Sequence, residues 1–366
     1  MNADEAGAAG SANATPVRKL DPVDRYLPVW VISAMAVGLA LGRLWPGIGT
    51  AVGAWQVQSV SVPIAIGLLL MMYPILARVR YGRVREVARG WKPTVFSLVL
   101  NWIVGPLFMF ALAWLWLPDA PALRTGVILV GLARCIAMVL VWNQLAGGDE
   151  EYATVLVALN AVFQILAYAG LAVFYLEVLP AALHLPRQAI AVDPTTVALS
   201  VLVFLGVPLA AALASRVGLG RWKGRAWYDG RFAPSVSRLT LWGLLFTVVV
   251  MFAIQGLSIT TLPLTVLRVV APLLAYFLGM WALAFLASRG FGFGYEKSVT
   301  LAFTAASNDF ELAIAVAVVV FGVASAEAFA SVIGPLVEVP VLLSLVYVAR
   351  ASRPWFSARR VVPTEA

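Results

Sequence analysis

The chain is 366 residues long, 62% of them hydrophobic and 12% charged, against about 45–50% and about 25% in soluble domains, so it has the composition of an integral membrane protein. One cysteine excludes a disulfide framework or a Cys-cluster metal site, and one histidine, His184 in a polar connector, removes the usual zinc and acid–base constellations. The net charge of +8 reads as basic cytoplasmic loops rather than a nucleic-acid surface.

Residues 1–26 are rich in Ala, Gly and Ser and lack an apolar core, which predicts a disordered cytoplasmic tail rather than a cleaved signal peptide. Ten stretches then reach the ~20 apolar residues that a bilayer-crossing helix needs: 27–45, 59–77, 94–117, 125–146, 153–179, 195–214, 239–257, 262–287, 298–323 and 328–349. The acidic run Asp149-Glu150-Glu151 separates the fourth from the fifth. A short connector, 323–328, separates the ninth from the tenth. Residues 181–194 form an extracytoplasmic connector and 351–366 a second cytoplasmic tail.

With the N-terminus inside, 21 Lys and Arg residues fall on the cytoplasmic side and 4 (Arg43, Arg124, Arg187, Arg268) on the other, with Arg134 inside a span. This asymmetry predicts cytoplasmic termini. Two large basic loops, 78–92 and 216–238, follow the second and seventh spans, as if a unit of five spans were repeated. An odd repeat unit inserts its second copy upside down, the plan of many secondary transporters, whose sites lie at mid-membrane between repeats. The repeats would be 27–180 and 195–350 in an all-α membrane protein.

Polar residues inside spans are costly and default to function. The fourth span carries Arg134 and Cys135 at its centre; the ninth carries Ser307-Asn308-Asp309 and Glu311 at matching depth. On a continuous helix Asn308 and Glu311, three apart, share a face. If the repeats are related by pseudo-symmetry, the two clusters meet. Each residue also has a plainer reading. Cys135 can be a small packing hydrophobe, Arg134 a structural counter-ion to Asp309 or Glu311, and Glu338, between Pro335 and Pro340, a structural residue where the prolines distort the helix and free carbonyls. Arg134 supplies one positive charge against three carboxyls, Asp309, Glu311 and Glu338. A protonatable carboxyl at this depth is the minimum equipment for proton coupling. Asn101, Asn160, Gln164 and Gln255 read as interhelical glue. No GxxxxGK[ST], HExxH, GxSxG or DDxxD run is present, so neither a nucleotide-driven motor nor an embedded enzyme is indicated.

The stretches GLLLMMYPILARVRY (67–81), GLARCIAMVLVWNQLAGGDEEYA (131–153), FTAASNDFELAIAVAVVVFG (303–322) and IGPLVEVPVLL (333–343) resemble the arsenite efflux permeases of the arsenical-resistance-three type, in the bile acid:sodium symporter superfamily. The resemblance runs from the first span to the last. It implies ten helices in two inverted five-helix repeats, arranged as panel and core domains, with broken helices 4 and 9 crossing. It places the family's essential cysteine, the ligand for arsenic(III), on Cys135 and its essential carboxylate on Glu311. Arg134 and Asn308 are further substrate-binding candidates, and Glu311, Asp309 and Glu338 are candidates for proton coupling. The implied protein is an inner-membrane exporter of arsenite, with antimonite as a second candidate cargo, working in exchange for protons and without a cofactor. Arsenite at neutral pH is the uncharged, thiophilic As(OH)3; one sulfur binds it weakly enough to release it, and uphill export of a neutral solute needs a coupling ion. The alternative within the superfamily is a sodium-coupled symporter of organic anions, which predicts polar sodium ligands around spans 4 and 9 and leaves the cysteine unexplained. A membrane-embedded enzyme or sensor is the reading from a different class.

Overall fold

The computed structural model describes residues 26–45, 47–57, 60–79, 90–186 and 193–357. The expected N-terminal tail, apart from Tyr26, lies outside the described residues, as do 187–192 of the connector and 358–366 of the C-terminal tail. In chain order the described residues form α1 (Leu27–Leu44), α2 (Ile48–Ala54), a hairpin of β1 (Gln56–Val57) and β2 (Val60–Ser61), α3 (Val62–Arg78), α4 (Trp91–Trp116), α5 (Pro121–Leu132) and α6 (Met138–Ala146). They continue with α7 (Glu150–Ala182), α8 (Pro194–Trp222), α9 (Arg225–Thr261), α10 (Pro263–Gly290), α11 (Tyr295–Ala306), α12 (Phe310–Phe321) and α13 (Ala326–Ala351). Among these, seven helices are long and apolar enough to cross a membrane: α1, α4, α7, α8, α9, α10 and α13. Helices α3, α5 and α12 are shorter apolar helices. This is an all-α multi-pass membrane protein, save for the small hairpin.

Local chemistry sets the helix boundaries. Asp149, Asp193, Asp309 and Ser325 accept backbone N–H bonds at the starts of α7, α8, α12 and α13, as N-caps do. Proline opens α5, α8 and α10, where its missing N–H costs nothing. Four helices contain one π-helical turn each, at Leu100–Val104, Phe174–Val178, Leu202–Gly206 and Tyr228–Phe232. Each is followed two residues later by a proline: Pro106, Pro180, Pro208 and Pro234. A proline within a helix lacks a donor and crowds the carbonyl four residues back, and the widened turn absorbs both effects.

The basic stretch 216–238, expected as a loop, is mostly helical. α8 continues to Trp222 and α9 begins at Arg225, with only Lys223 and Gly224 between them. Gly224 turns the chain at φ 90°, which suits glycine. The low hydropathy of this stretch comes from arginines, which are good helix formers.

The helices form two groups. In the first, α9 lies along α1 and α3, and α3 along α8. A Cβ added at Gly38 of α1 would fall 2.6 Å from Phe252 Cβ, and one at Gly42 2.3 Å from the Ala253 carbonyl, so this small-xxx-small face lets the backbones of α1 and α9 approach as membrane helices do. In the second group, α10 packs on α4, α11 and α13, while α13 also covers α5, α6 and α12. The outward faces carry exposed Leu, Ile, Val and Phe, and the buried polar residues lie inside, the distribution a lipid solvent requires.

Candidate functional site

The stretch expected as one fourth span is two helices, α5 and α6, with non-helical chain at 133–137 between them; the ninth is α11 and α12, interrupted at 307–309. The interruptions meet. Cys135 N–H donates to the Ser307 carbonyl (3.3 Å) and Asp309 N–H to the Ala133 carbonyl (3.2 Å), pairing Arg134 with Asn308 as one rung of an antiparallel ladder. Breaking a helix strands carbonyls at its C-terminal end and N–H groups at the next N-terminal end. The groups that satisfy them make up the site.

The carbonyls at the end of α5 are met from across the crossing. The Tyr168 hydroxyl donates to Leu129 O (3.0 Å), and the Asn308 amide donates to Val130 O (2.6 Å) and Ala133 O (3.1 Å). The Arg134 guanidinium donates to Gly131 O of α5, to Ala305 O of α11 (3.2 Å) and to the Tyr276 hydroxyl (2.7 Å). Its backbone N–H donates to the Gln164 amide oxygen (2.5 Å). At the two N-terminal ends, Val139 N–H donates to Cys135 Sγ (3.3 Å) and Leu312 N–H to Asp309 Oδ1 (3.0 Å). Cys135 in one break and Asp309 in the other thus do the same job.

Two expectations are corrected here. Asn308 and Glu311 do not share a helical face, because α11 ends at Ala306 and α12 starts only at Phe310. Arg134 makes no ion pair with Asp309 or Glu311: its partners are two carbonyls and a phenol. The partially negative C-terminal ends of two helices stabilise the cation in place of a carboxylate.

A small cavity lies between the two helix groups, lined on one side by Val31, Leu244 and Val248 and on the other by Met138, Asn308, Phe310, Glu311, Pro335, Glu338 and Val339. One wall is apolar; the other carries both carboxyls. Glu311 is half-buried and faces this space, whereas Asp309 is buried, with Oδ2 lacking a hydrogen-bond partner. The Ser307 hydroxyl donates to Glu338 Oε1 and also lies within reach of the Cys135 thiol, joining the cysteine to the cavity wall. α13 runs unbroken through Pro335 and Pro340. Phe310 lies so close to Gly334 that an added Cβ would fall 1.7 Å from its ring. Arg134 sits behind the cavity, not on its surface.

A family model described as Sodium Bile acid symporter family matches residues 65–262. The Arsenical-resistance protein Acr3 of Corynebacterium glutamicum is 51% identical over 325 residues, covering 89% of this chain and 88% of that protein. The chain belongs to the Sodium Bile acid symporter family, in its Acr3 group. An Acr3 arsenical-resistance protein of Alkaliphilus metalliredigens is 32% identical over 343 residues, with 91% and 94% covered. An uncharacterized transporter of Synechocystis sp. is 34% identical over 356 residues, with 92% and 91% covered. Membership makes the chain a transporter rather than an enzyme.

Cys135, Arg134, Asn308, Asp309, Glu311 and Glu338 all gather at or beside the crossing. Sequence reasoning passed over Ser307 as a link between Cys135 and Glu338, and did not single out Tyr168 or Tyr276. Gln164, read as glue, is used as glue. The signal for the tyrosines was weak: each is an aromatic in an apolar span, and only the crossing gives its hydroxyl a carbonyl.

Proposed function

We propose that this chain exports arsenite, As(OH)3, from the cytoplasm and so confers arsenic resistance. The observation that carries this reading is the position of the chain's one thiol, at the crossing of two interrupted helices and one serine away from a cavity carboxyl. Cys135 exchanges with one hydroxide of As(OH)3. An As–S bond forms, an As–O bond breaks, and the thiol proton leaves with the hydroxide as water. A single sulfur makes this reversible, and a transporter must release what it binds.

The cycle is proton-coupled. Glu311 faces the cavity beside the orphaned Asp309 Oδ2, and a proton on this pair gives that oxygen a partner. Glu338, tied to Ser307, is the third carboxyl of the site. Ten spans in two inverted repeats fit the matched elements: α5 and α11 are both 12 residues long and begin 174 positions apart, as do Cys135 and Asp309. The group of α1, α3, α8 and α9 would be the panel and the other the core, in the inner membrane with both termini cytoplasmic. Antimonite, with the same charge and affinity for sulfur, is a second cargo.

Everted membrane vesicles test the reading. They should accumulate arsenite against an imposed proton gradient and lose it on addition of an uncoupler. The family description favours one other reading, sodium-driven uptake of an organic anion. Sodium-dependent taurocholate uptake without arsenite transport would establish that reading and sink this one.

A further inference from the structure

The crossing leaves two helix C-terminal ends, those of α5 and α11, facing one point. In transporters with broken helices, such ends and the unwound carbonyls beside them coordinate the coupling cation. In this chain the point is filled by a side chain of the chain itself. The Arg134 guanidinium is fully buried and bonds one carbonyl from each half-helix, Gly131 O and Ala305 O, together with the Tyr276 hydroxyl. Its two nearest helix ends carry about half a negative charge each, which together balance one monovalent cation.

We propose that Arg134 is a tethered cation, holding the place a free monovalent ion would take and making the transport cycle independent of sodium. Three further observations support this. No carboxylate is paired with Arg134 among the described residues, so carbonyls and a phenol, the ligands of a hard cation, hold the charge. Gly105 leaves room for the guanidinium: a Cβ there would lie 3.0 Å from Nη1 and 3.1 Å from the Tyr276 oxygen. The Asn308 amide covers Val130 O and Ala133 O, so two more carbonyls of the crossing already have a donor. The planar fork points Nη1 at Ala305 O and Nη2 at Gly131 O, so one group reaches carbonyls on two helices at once. The inference rests on the transporter reading of this site but not on arsenite as the cargo.

The test replaces Arg134 by Ala, and separately by Gln, and follows the melting of the purified protein in sodium, choline and millimolar guanidinium chloride at equal ionic strength. Wild type should melt at the same temperature in sodium and choline. Either neutral variant should melt lower in choline and recover several degrees, saturably, with guanidinium or sodium, as a protein does when an ion binds only its folded form. In vesicles, arsenite uptake by the same variants should become dependent on sodium or guanidinium. A neutral variant whose melting ignores every cation overturns the inference, as does a wild type that responds to sodium. So does failure of both neutral variants to reach a sodium-bathed membrane, because a free ion then does not substitute. The melting arm needs no arsenite, so failure of the arsenite reading leaves its result standing.

Discussion

Replacing Cys135 by Ser separates the chemistry of the site from its architecture. The sulfur has a structural task, accepting the Val139 N–H at 3.3 Å where α6 begins. A serine hydroxyl is also an acceptor and can take over that bond, and it finds the Ser307 hydroxyl as a second neighbour. One acceptor replaces another of similar size, so stability should change by no more than about 1 kcal/mol, or about 2 °C in melting temperature for a chain of this size. Transport should behave differently. Oxygen bound to arsenic offers nothing over the water it replaces, so uptake should fall at least about 100-fold, equivalent to losing about 2.8 kcal/mol of binding at 1.4 kcal/mol per tenfold. The assay is arsenite uptake into everted vesicles matched for inserted protein, beside a melting curve. Full arsenite resistance in cells carrying the serine variant would show that the sulfur is only packing. A variant that fails to insert would show that the capping argument is wrong.

Glu311→Gln should abolish proton-driven accumulation while leaving arsenite binding at Cys135, and Glu311→Asp should keep part of the activity; if the Gln variant still concentrates arsenite and still collapses with an uncoupler, Asp309 or Glu338 carries the proton. Asn308→Ala removes two donors, but Val130 O still receives Ala133 N–H and Ala133 O still receives Asp309 N–H, so the cost should be about 1–2 kcal/mol, read by melting; a loss beyond 4 °C or so would mean the amide does more than cap α5. Ser307→Ala frees Glu338 and should slow uptake with little change in melting; unchanged uptake kinetics would remove Ser307 from the site. At the start of α8, outside the membrane, bonds from Thr196 and Thr195 hold the Asp193 carboxyl below its usual value. The cap is therefore complete above the ordinary carboxylate range and is lost as pH falls through the depressed value. Amide exchange at Thr195 and Thr196 should speed up in acid in wild type and not in Asp193→Asn; equal acid response in both would refute this.

Hydropathy alone located the apolar part of every long helix, though not α2 or the helical ends within 216–238, and it put Cys135, Arg134 and the carboxyls in matching parts of two spans. The interruption of the fourth span was not legible in its own residues. LARCIAM contains no glycine or proline and would serve in a continuous helix. It opens because Gln164, Tyr168, Tyr276 and Asn308, between 30 and 178 positions away, supply what the broken ends lack, and no local periodicity encodes such partners. The Arg134 contacts were missed for a related reason. Counting formal charges pairs an arginine with carboxylates, whereas the charge that receives it belongs to two helix ends and has no letter in the sequence. The 216–238 stretch was misread because polarity was taken for irregularity.

The ladder rung between the two breaks limits how the molecule can move. Sliding α5 past α11 by one residue would sever both backbone bonds and pull Arg134 from Ala305 and Asn308 from Val130 in the same step. The opposite wall of the cavity carries no such constraint, since Val31, Leu244 and Val248 offer only methyl groups, which slip at little cost. Slip is therefore easiest along that greasy wall, while beyond it the Gln255 amide still ties α9 to the Val323 carbonyl (2.9 Å). The knot of polar contacts is tied to stay in one piece, which keeps sulfur and carboxyls at fixed separation.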